Sequence, residues 1–579
     1  MSRNRVIINA ILILLIISSL LVTNSCTLTA LNPGETTGPA DEDNTNDEEK
    51  KLLEEVSEKE KKAEKERLEE ERSKREEKKR RLREEALKKE LGPFFVPLPP
   101  LEQEENPSVK VRGLYLTGNT VGLESRFNKL LELVKTTELN AMVIDVKNDH
   151  GLMSYKSEIE IVEEVGANRS VPIKDMKRVM QELKRHDIYP IARIVVFKDP
   201  NLPEKCPEWG IQKKEGGLWR DNKGIGWVNP YNKKVWDYNI AIAKEAALMG
   251  FREIQFDYVR FPENARRVDK EAYYPGADGR SKEEVIAEFI DYAREQLEEY
   301  NVHIAADTFG VIATSWGDSD QIGQNWELIA PRVDYNCPMI YPSHYGPGYF
   351  GYAVPDAHPE ETIRKALTDS LKRNASVKNP GIIRPWLQGF TATWIPGHIP
   401  YGPNEIRLQI DTALEMGIEE YLIWNPKNRY FENAFRNAEE TAQKEKELQR
   451  KRDSQGRDLL GKTALEAAKD FLEAFQKKDW REALYLHSAN FELDHDKYRS
   501  WFETLAGKVS AYEIHGLEQQ GKLATIKLDV VIMTNGKEFK LENERWKILI
   551  ENELWRVKPT KEFEESLAHF RLGFKNEAN

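Results

Sequence analysis

Between about residues 110 and 430 the chain alternates short β-type runs with amphipathic segments, and this alternation constrains the fold more than any other feature. The runs are VRGLYLTG from Val111, AMVIDVKN from Ala141, YPIARIVVF from Tyr189, FREIQFDYVRF from Phe251, HIAADTFG from His303, VDYNCPMIYP from Val333, IRPWLQGF from Ile383 and EYLIWN from Glu420. Helix-period segments lie between most of them, at 124–138, 172–186, 233–249, 282–299, 360–373 and 404–416. Eight β/α units over about 320 residues predict a (β/α)8 TIM barrel of the α/β class, spanning 108–433. The structural runner-up is a doubly wound open sheet. It usually carries fewer strands and often a Gly-rich phosphate loop, and neither GxGxxG nor a Walker sequence occurs here.

The flanks are of a different kind. Arg3 and Arg5 precede an apolar run from Val6 to Val22, so residues 1–26 read as a signal peptide or membrane anchor. The run is near the lower limit for a spanning helix, so cleavage and retention both fit. Cys26 after Ser25 resembles a lipoprotein cleavage box, with Thr23 where Leu is usual. All three outcomes predict an extracytoplasmic chain, anchored to the membrane or secreted. Residues 27–47 read as a disordered linker. The block 41–90 holds 20 acidic and 17 basic residues, so it is dense in charge yet nearly neutral. Eight Glu-to-Lys/Arg pairs at i,i+4, such as Glu70–Lys74 and Glu76–Arg80, predict a solvated helical stalk over 48–91. A tether of no defined length is the alternative. Residues 434–458 read as a charged, helix-like linker, and 459–579 as a small α+β domain with three helices followed by four antiparallel strands. Trp480, Trp501, Trp546 and Trp555 are expected in its core, and a binding or spacer role is the default for it.

Composition sharpens what such a chain can do. The 579 residues carry a net charge of −12, which argues against a general nucleic-acid binder. Three cysteines, Cys26, Cys206 and Cys337, exclude a disulfide scaffold and a multi-cysteine zinc site. No metal and no cofactor are expected. A Cys206–Cys337 disulfide would require the two Cα atoms within about 7 Å, and Cys337, inside a strand, reads rather as a buried thiol.

A TIM barrel places its chemistry at the C-terminal ends of its strands. On the fourth strand Glu253, Gln255 and Asp257 share one face and Ile254, Phe256 and Tyr258 the other, which turns Asp257 inward at the mouth. By the same alternation Asp145 and Lys147 point inward on the second strand, and Asp307 ends the small-residue run of the fifth. Carboxylates on neighbouring strand ends suit glycoside hydrolysis, which needs one group to attack or stabilise the anomeric carbon and one protonated acid for the leaving oxygen. Asp257 and Asp307 are the expected pair, with Asp145 as third carboxylate. Repulsion and burial would keep one of the pair protonated. Arg260 is expected either to keep Asp257 ionised or to form a purely structural ion pair with it. The bland readings are a turn-capping Asp307 and an Asp145 paired with Lys147. Lys147, Tyr341, His344 and Asn425 are candidate sugar ligands, and Trp386 and Trp424 candidate stacking platforms. Trp219, Trp227 and Trp316, in or near loops, carry the same choice between sugar stacking and packing.

Several strings, RGLYLTG, VIDVKNDHG, FDYVRFP at Phe256–Pro262, ADTFG, PMIYPSHY and WLQGF, resemble a bacterial family of glycoside hydrolase domains. The resemblance runs from Val111 to about Tyr430 and implies a TIM barrel acting on a polysaccharide or oligosaccharide. It is distantly similar to the alpha-amylase-like clan, in which the nucleophile ends strand four and the acid/base ends strand five. That clan usually has Glu at the second position, where this chain has Asp307. The C-terminal region resembles the nuclear transport factor 2-like superfamily. A non-catalytic carbohydrate-binding or cell-envelope protein on a degenerate barrel is the rival function. Cleavage of another bond, such as an amide, is a third, with no zinc ligand set or Ser-His-Asp pattern to support it.

Overall fold

The computed structural model describes residues 45–315, 321–488, 495–505, 509–534 and 537–564. The expected signal or anchor, Cys26, all but the end of the 27–47 linker and Trp316 lie outside the described residues. Helix α1 covers Thr45–Leu91, where a solvated helix is expected. Its side-chain pairing differs from expectation. Glu70–Lys74 forms at 2.6 Å, but Arg80 and Arg81 turn to Glu84 and Glu85, at 3.3 and 3.4 Å, rather than back to Glu76 and Glu77. From Arg80 onward the helix end is tied to the segment that follows, through Arg80 to the Leu98 carbonyl at 2.9 Å and the Leu98 N–H to Glu84 at 3.0 Å.

Eight parallel strands follow: β1 Arg112–Leu116, β2 Ala141–Lys147, β3 Tyr189–Val195, β4 Glu253–Asp257, β5 His303–Phe309, β6 Tyr335–Ile340, β7 Trp386–Gln388 and β8 Tyr421–Trp424. Each pairs with the next, and β8 pairs with β1 (Arg112 opposite Tyr421), so the sheet closes without an edge. The predicted helices are α2 Glu124–Thr136, α3 Met176–Arg185, α4 Lys233–Met249, α5 Lys282–Leu297, α6 Pro359–Ala375 and α7 Pro403–Glu415. Their apolar faces and the outward residues of the strands form one large core. Inside the barrel a cross-section as tight as Gly113 occurs, where an added Cβ would stand 2.7 Å from the Leu422 side chain.

The 434–458 segment is not a free linker. Helix α8 Ala438–Gln455 docks on the barrel as the eighth helix, with Thr441 donating to the buried Glu138 carboxylate at 2.6 Å and Glu445 ion-paired to Arg112. Its few apolar residues hide this role from a hydrophobic pattern, because its anchors are polar. Beyond it, α9 Ala464–Lys477, α10 Trp480–Leu486 and α11 His495–Leu505 precede an antiparallel sheet. That sheet runs in chain order as β9 Val509–Gln520, β10 Leu523–Thr534, β11 Lys537–Glu551 and β12 Leu554–Lys558. Trp546 and Trp555 are in its core, whereas Trp480 and Trp501 are only partly buried. Cys206 and Cys337 are both free thiols, and Cys337 is buried inside the barrel.

The barrel interior carries more charge than its apolar strands suggest. In the lower layer Arg384 donates to both oxygens of Glu253 at 2.8 Å and to Glu420 at 2.8 Å, with its guanidinium 3.4 Å from the Tyr335 ring centroid. Buried charges survive only when matched in this way. The upper layer is the candidate site.

Candidate active site

As the alternation on β4 predicts, Glu253, Gln255 and Asp257 all point inward, one per layer. Asp257, 5% exposed, does not pair with Arg260 as expected. Its partner is Arg193 on β3, whose Nε lies 2.9 Å from Oδ2 and whose Nη2 also donates to it. The third guanidinium nitrogen, Nη1, reaches Asp145 Oδ1 on β2 at 2.6 Å, and the Tyr115 hydroxyl donates to Asp145 Oδ2 at 2.6 Å. Arg193 thus bridges two carboxylates from the strands on either side of it. Its position was visible in the sequence: it is the one charged residue inside the apolar run YPIARIVVF, on the same face as Tyr189 and Ile191. Asp145 is not in the cleft wall, as Asp257 is, and orients Arg193. Burial raises its pKa, against the opposing pull of Arg193 and the Tyr115 hydroxyl.

Asp307 on β5 is 1% exposed and sits in a different electrostatic setting. Its Oδ1 accepts from Gln255 Nε2 at 2.8 Å and from the Trp386 indole N–H at 2.7 Å, both neutral donors. Burial first, and then the neighbouring charge of Asp257, push its pKa well above the usual carboxylate value. This is a carboxyl group that favours its protonated form.

Both carboxyl groups open onto one cleft of about 890 Å³ at the C-terminal mouth, with Arg193, Arg260, Tyr341, His344, Trp386 and Trp424 in its walls. Trp424 stacks on Tyr115 at 3.9 Å between centroids and meets Trp386 edge-on at 5.6 Å. Arg260 is buried on the cleft side of Phe309, 4.4 Å from its centroid, and holds Glu263 at 2.8 Å. Glu263, also in the cleft wall, escapes a reading based on strand ends because it lies in the loop after β4.

The strand end itself is strained. Tyr258, expected to face the helices, has φ 49°, a left-handed conformation costly for an aromatic residue. The turn brings its N–H to 2.5 Å from Asp257 Oδ1 and its ring against Lys198 and Arg260. Two loops brace this corner. Gln212–Lys213 pairs antiparallel with Ala272–Tyr273 over a small core that buries Trp219 and Trp227, which therefore pack rather than present a sugar platform.

Two predicted ligands stand elsewhere. The register between β2 and β3 shifts between Asp145 and Lys147, a bulge that rotates Lys147 out of the barrel. It is fully buried against Tyr238 of α4 and bound to Asp199 at 2.8 Å, and burial lowers its pKa. Asn425 is spent on backbone: its amide donates to the Gly389 and Arg429 carbonyls and its oxygen accepts the Lys427 N–H at 2.9 Å. It shapes the loop after β8 and is not in the wall of the cleft. Among the described residues no group of three or more His, Cys, Asp or Glu side chains is placed to hold a metal ion.

The chain is a closed (β/α)8 barrel whose C-terminal mouth forms a cleft lined by Asp257 and Asp307. The family described as "Putative glycosyl hydrolase domain" matches residues 113–430, more than half of the chain, and the chain belongs to it. Among solved structures it is similar to a hypothetical protein from Ruminiclostridium thermocellum ATCC 27405 (44% identity, 34% of this chain and 96% of that one, TM-score 0.31). It is also similar to the PgaB (BpsB) glycoside hydrolase domain from Bordetella bronchiseptica (15%, 56% and 95%, TM-score 0.40). A third is the alpha-galactosidase TtGalA from Thermus thermophilus (14%, 59% and 63%, TM-score 0.36). No curated protein matches the chain.

Proposed function

We propose that this glycoside hydrolase works outside the cytoplasm on a polysaccharide or oligosaccharide, by a retaining mechanism in which Asp257 is the nucleophile and Asp307 the acid/base. What supports the proposal is the contrast between two carboxyl groups on one cleft, one held by a guanidinium and the other, on neutral donors, pushed toward its protonated form by burial and by Asp257. Environments that separate two carboxyl groups in this way assign base and acid roles. The register Phe256 opposite Ala306 supports a close pair, because the next residues along the two strands are Asp257 and Asp307. Adjacent strands lie about 4.8 Å apart, and retaining enzymes hold their carboxyl groups about 5–5.5 Å apart.

In the first step an Asp257 oxygen bonds to the anomeric carbon, the glycosidic C–O bond breaks, and Asp307 gives its proton to the departing oxygen. In the second, Asp307 takes a proton from water, the water oxygen bonds to the anomeric carbon, and Asp257 leaves as carboxylate. Arg193 and the Tyr258 N–H hold Asp257 in place through both steps, and Asp145 holds Arg193. The basic and apolar N-terminus supports export and membrane attachment.

The deep burial of Asp307 favours one second reading, a barrel that binds glycans without cutting them. Incubating the full chain and Asp257→Asn with a panel of polysaccharides separates the two. New reducing ends from the wild type alone support hydrolysis. Binding without cleavage by the wild type leaves the binding reading in possession.

A further inference from the structure

We propose that the exposed face of Trp394 is an outer subsite of the same cleft, taking a further pyranose residue of the glycan chain. The inference rests on the cleft being a glycan site. Trp394 is 64% exposed, the most exposed large apolar side chain among the described residues. It lies in the loop between β7 and α7. The ring does not stand alone. It stacks on Phe390 at 6.0 Å and 20° between planes. Phe390 in turn meets Tyr341 at 6.0 Å and His344 at 6.4 Å, both edge-on. Tyr341 and His344 are walls of the cleft, so an aromatic row runs from the cleft outward and ends on Trp394.

The loop that presents Trp394 is fixed from several directions. The buried Asp356 accepts Gln388 Nε2 at 2.9 Å and the Ile399 N–H at 3.3 Å, and its carbonyl accepts the Tyr401 hydroxyl at 3.0 Å. Tyr401 N–H donates to Thr391 at 2.9 Å, and successive turns close from Ile395 to Ala392 and from His398 to Ile395. Gly397, at φ 83°, makes the second turn possible. A loop held in this way loses little freedom when a ligand settles on it. The ligand chemistry is that of a pyranose, whose C–H face packs on an aromatic face. A cleft extended by such a platform recognises a chain of several sugars rather than a single terminal one.

The test compares chain lengths. Full-chain wild type, Trp394→Ala and Trp394→Phe are assayed for kcat/KM on the hexasaccharide and the trisaccharide of the cellulose, chitin, xylan, mannan, starch and β-1,3-glucan series, with binding followed by calorimetry. On the series that the wild type accepts, Trp394→Ala should lose about tenfold or more on the hexasaccharide and stay within about twofold of wild type on the trisaccharide. Trp394→Phe should retain most of the hexasaccharide activity. An equal loss on both lengths, or no loss on either, with unchanged melting of the variant, overturns the subsite. A wild type that neither cleaves nor binds any series overturns the glycan reading of the cleft, and the subsite with it. The two failures are told apart because one is seen in the wild type and the other only in the variant.

Discussion

Replacing Asp307 by Asn removes a proton donor and a titrating group at once while keeping the shape of the side chain. The amide oxygen can still accept from Gln255 and from the Trp386 indole, so the neutral contacts of Oδ1 persist. What disappears is the cost of ionising a carboxyl group in this place. Below about pH 3.9, the value for an unfolded Asp, the group is protonated in both states and contributes no pH dependence. As pH rises past that value the unfolded chain ionises first, because burial and Asp257 hold the folded pKa higher. The folded state then binds more protons than the unfolded one, and wild-type stability falls with pH until the folded group ionises as well. Each unit of upward displacement is about 1.4 kcal/mol, or about 2 °C in Tm for a domain of roughly 300 residues. Melting curves at pH 3.5, 5, 7 and 8.5 should therefore show a Tm difference, variant minus wild type, that grows with pH and levels off. Hydrolysis by the variant should fall by about 10²–10⁴-fold, the loss of a general acid. A Tm difference that stays constant across the range would refute the claim that Asp307 is held protonated by its surroundings.

Two other substitutions probe the charged layers of the barrel. Arg193→Gln leaves Asp145 and Asp257 buried without their shared counter-charge, and urea denaturation should report a loss of about 3–5 kcal/mol together with loss of activity. Arg384→Leu strands Glu253 and Glu420 in the lower layer at a similar cost of about 3–5 kcal/mol. The protein that remains folded should keep wild-type kcat, because this layer lies away from the cleft.

The sequence carries the barrel well because its strands and helices obey two different hydrophobic periods, and six of the predicted helices appear within a few residues of their expected bounds. Asp257 and Asp307 were legible for the same reason: on a strand, alternation plus a strand end settles which way a side chain points. Where the local geometry departs from alternation, the reading fails. A bulge after Asp145 turns Lys147 outward, and a left-handed Tyr258 swings its ring away from the helix side. Arg193 was present in the pattern as a charge on an inward face, but its two partners lie 48 and 64 residues away along the chain. Pairing over that distance is set by which strands become neighbours. Helix α8 was legible as a helix, but its docking was not, because it is held by polar contacts to Glu138 and Arg112 that lie far away along the chain.

The central claim is that Asp257 forms a bond to the sugar while Asp307 shuttles the proton. The most direct test is proton NMR of the first product released from whichever glycan the wild type cleaves, recorded before the anomers equilibrate. Double displacement at a close carboxyl pair predicts that the new hemiacetal keeps the configuration of the bond that was cut. A first product of the opposite configuration would mean that water, not Asp257, attacks the anomeric carbon, and would contradict the mechanism.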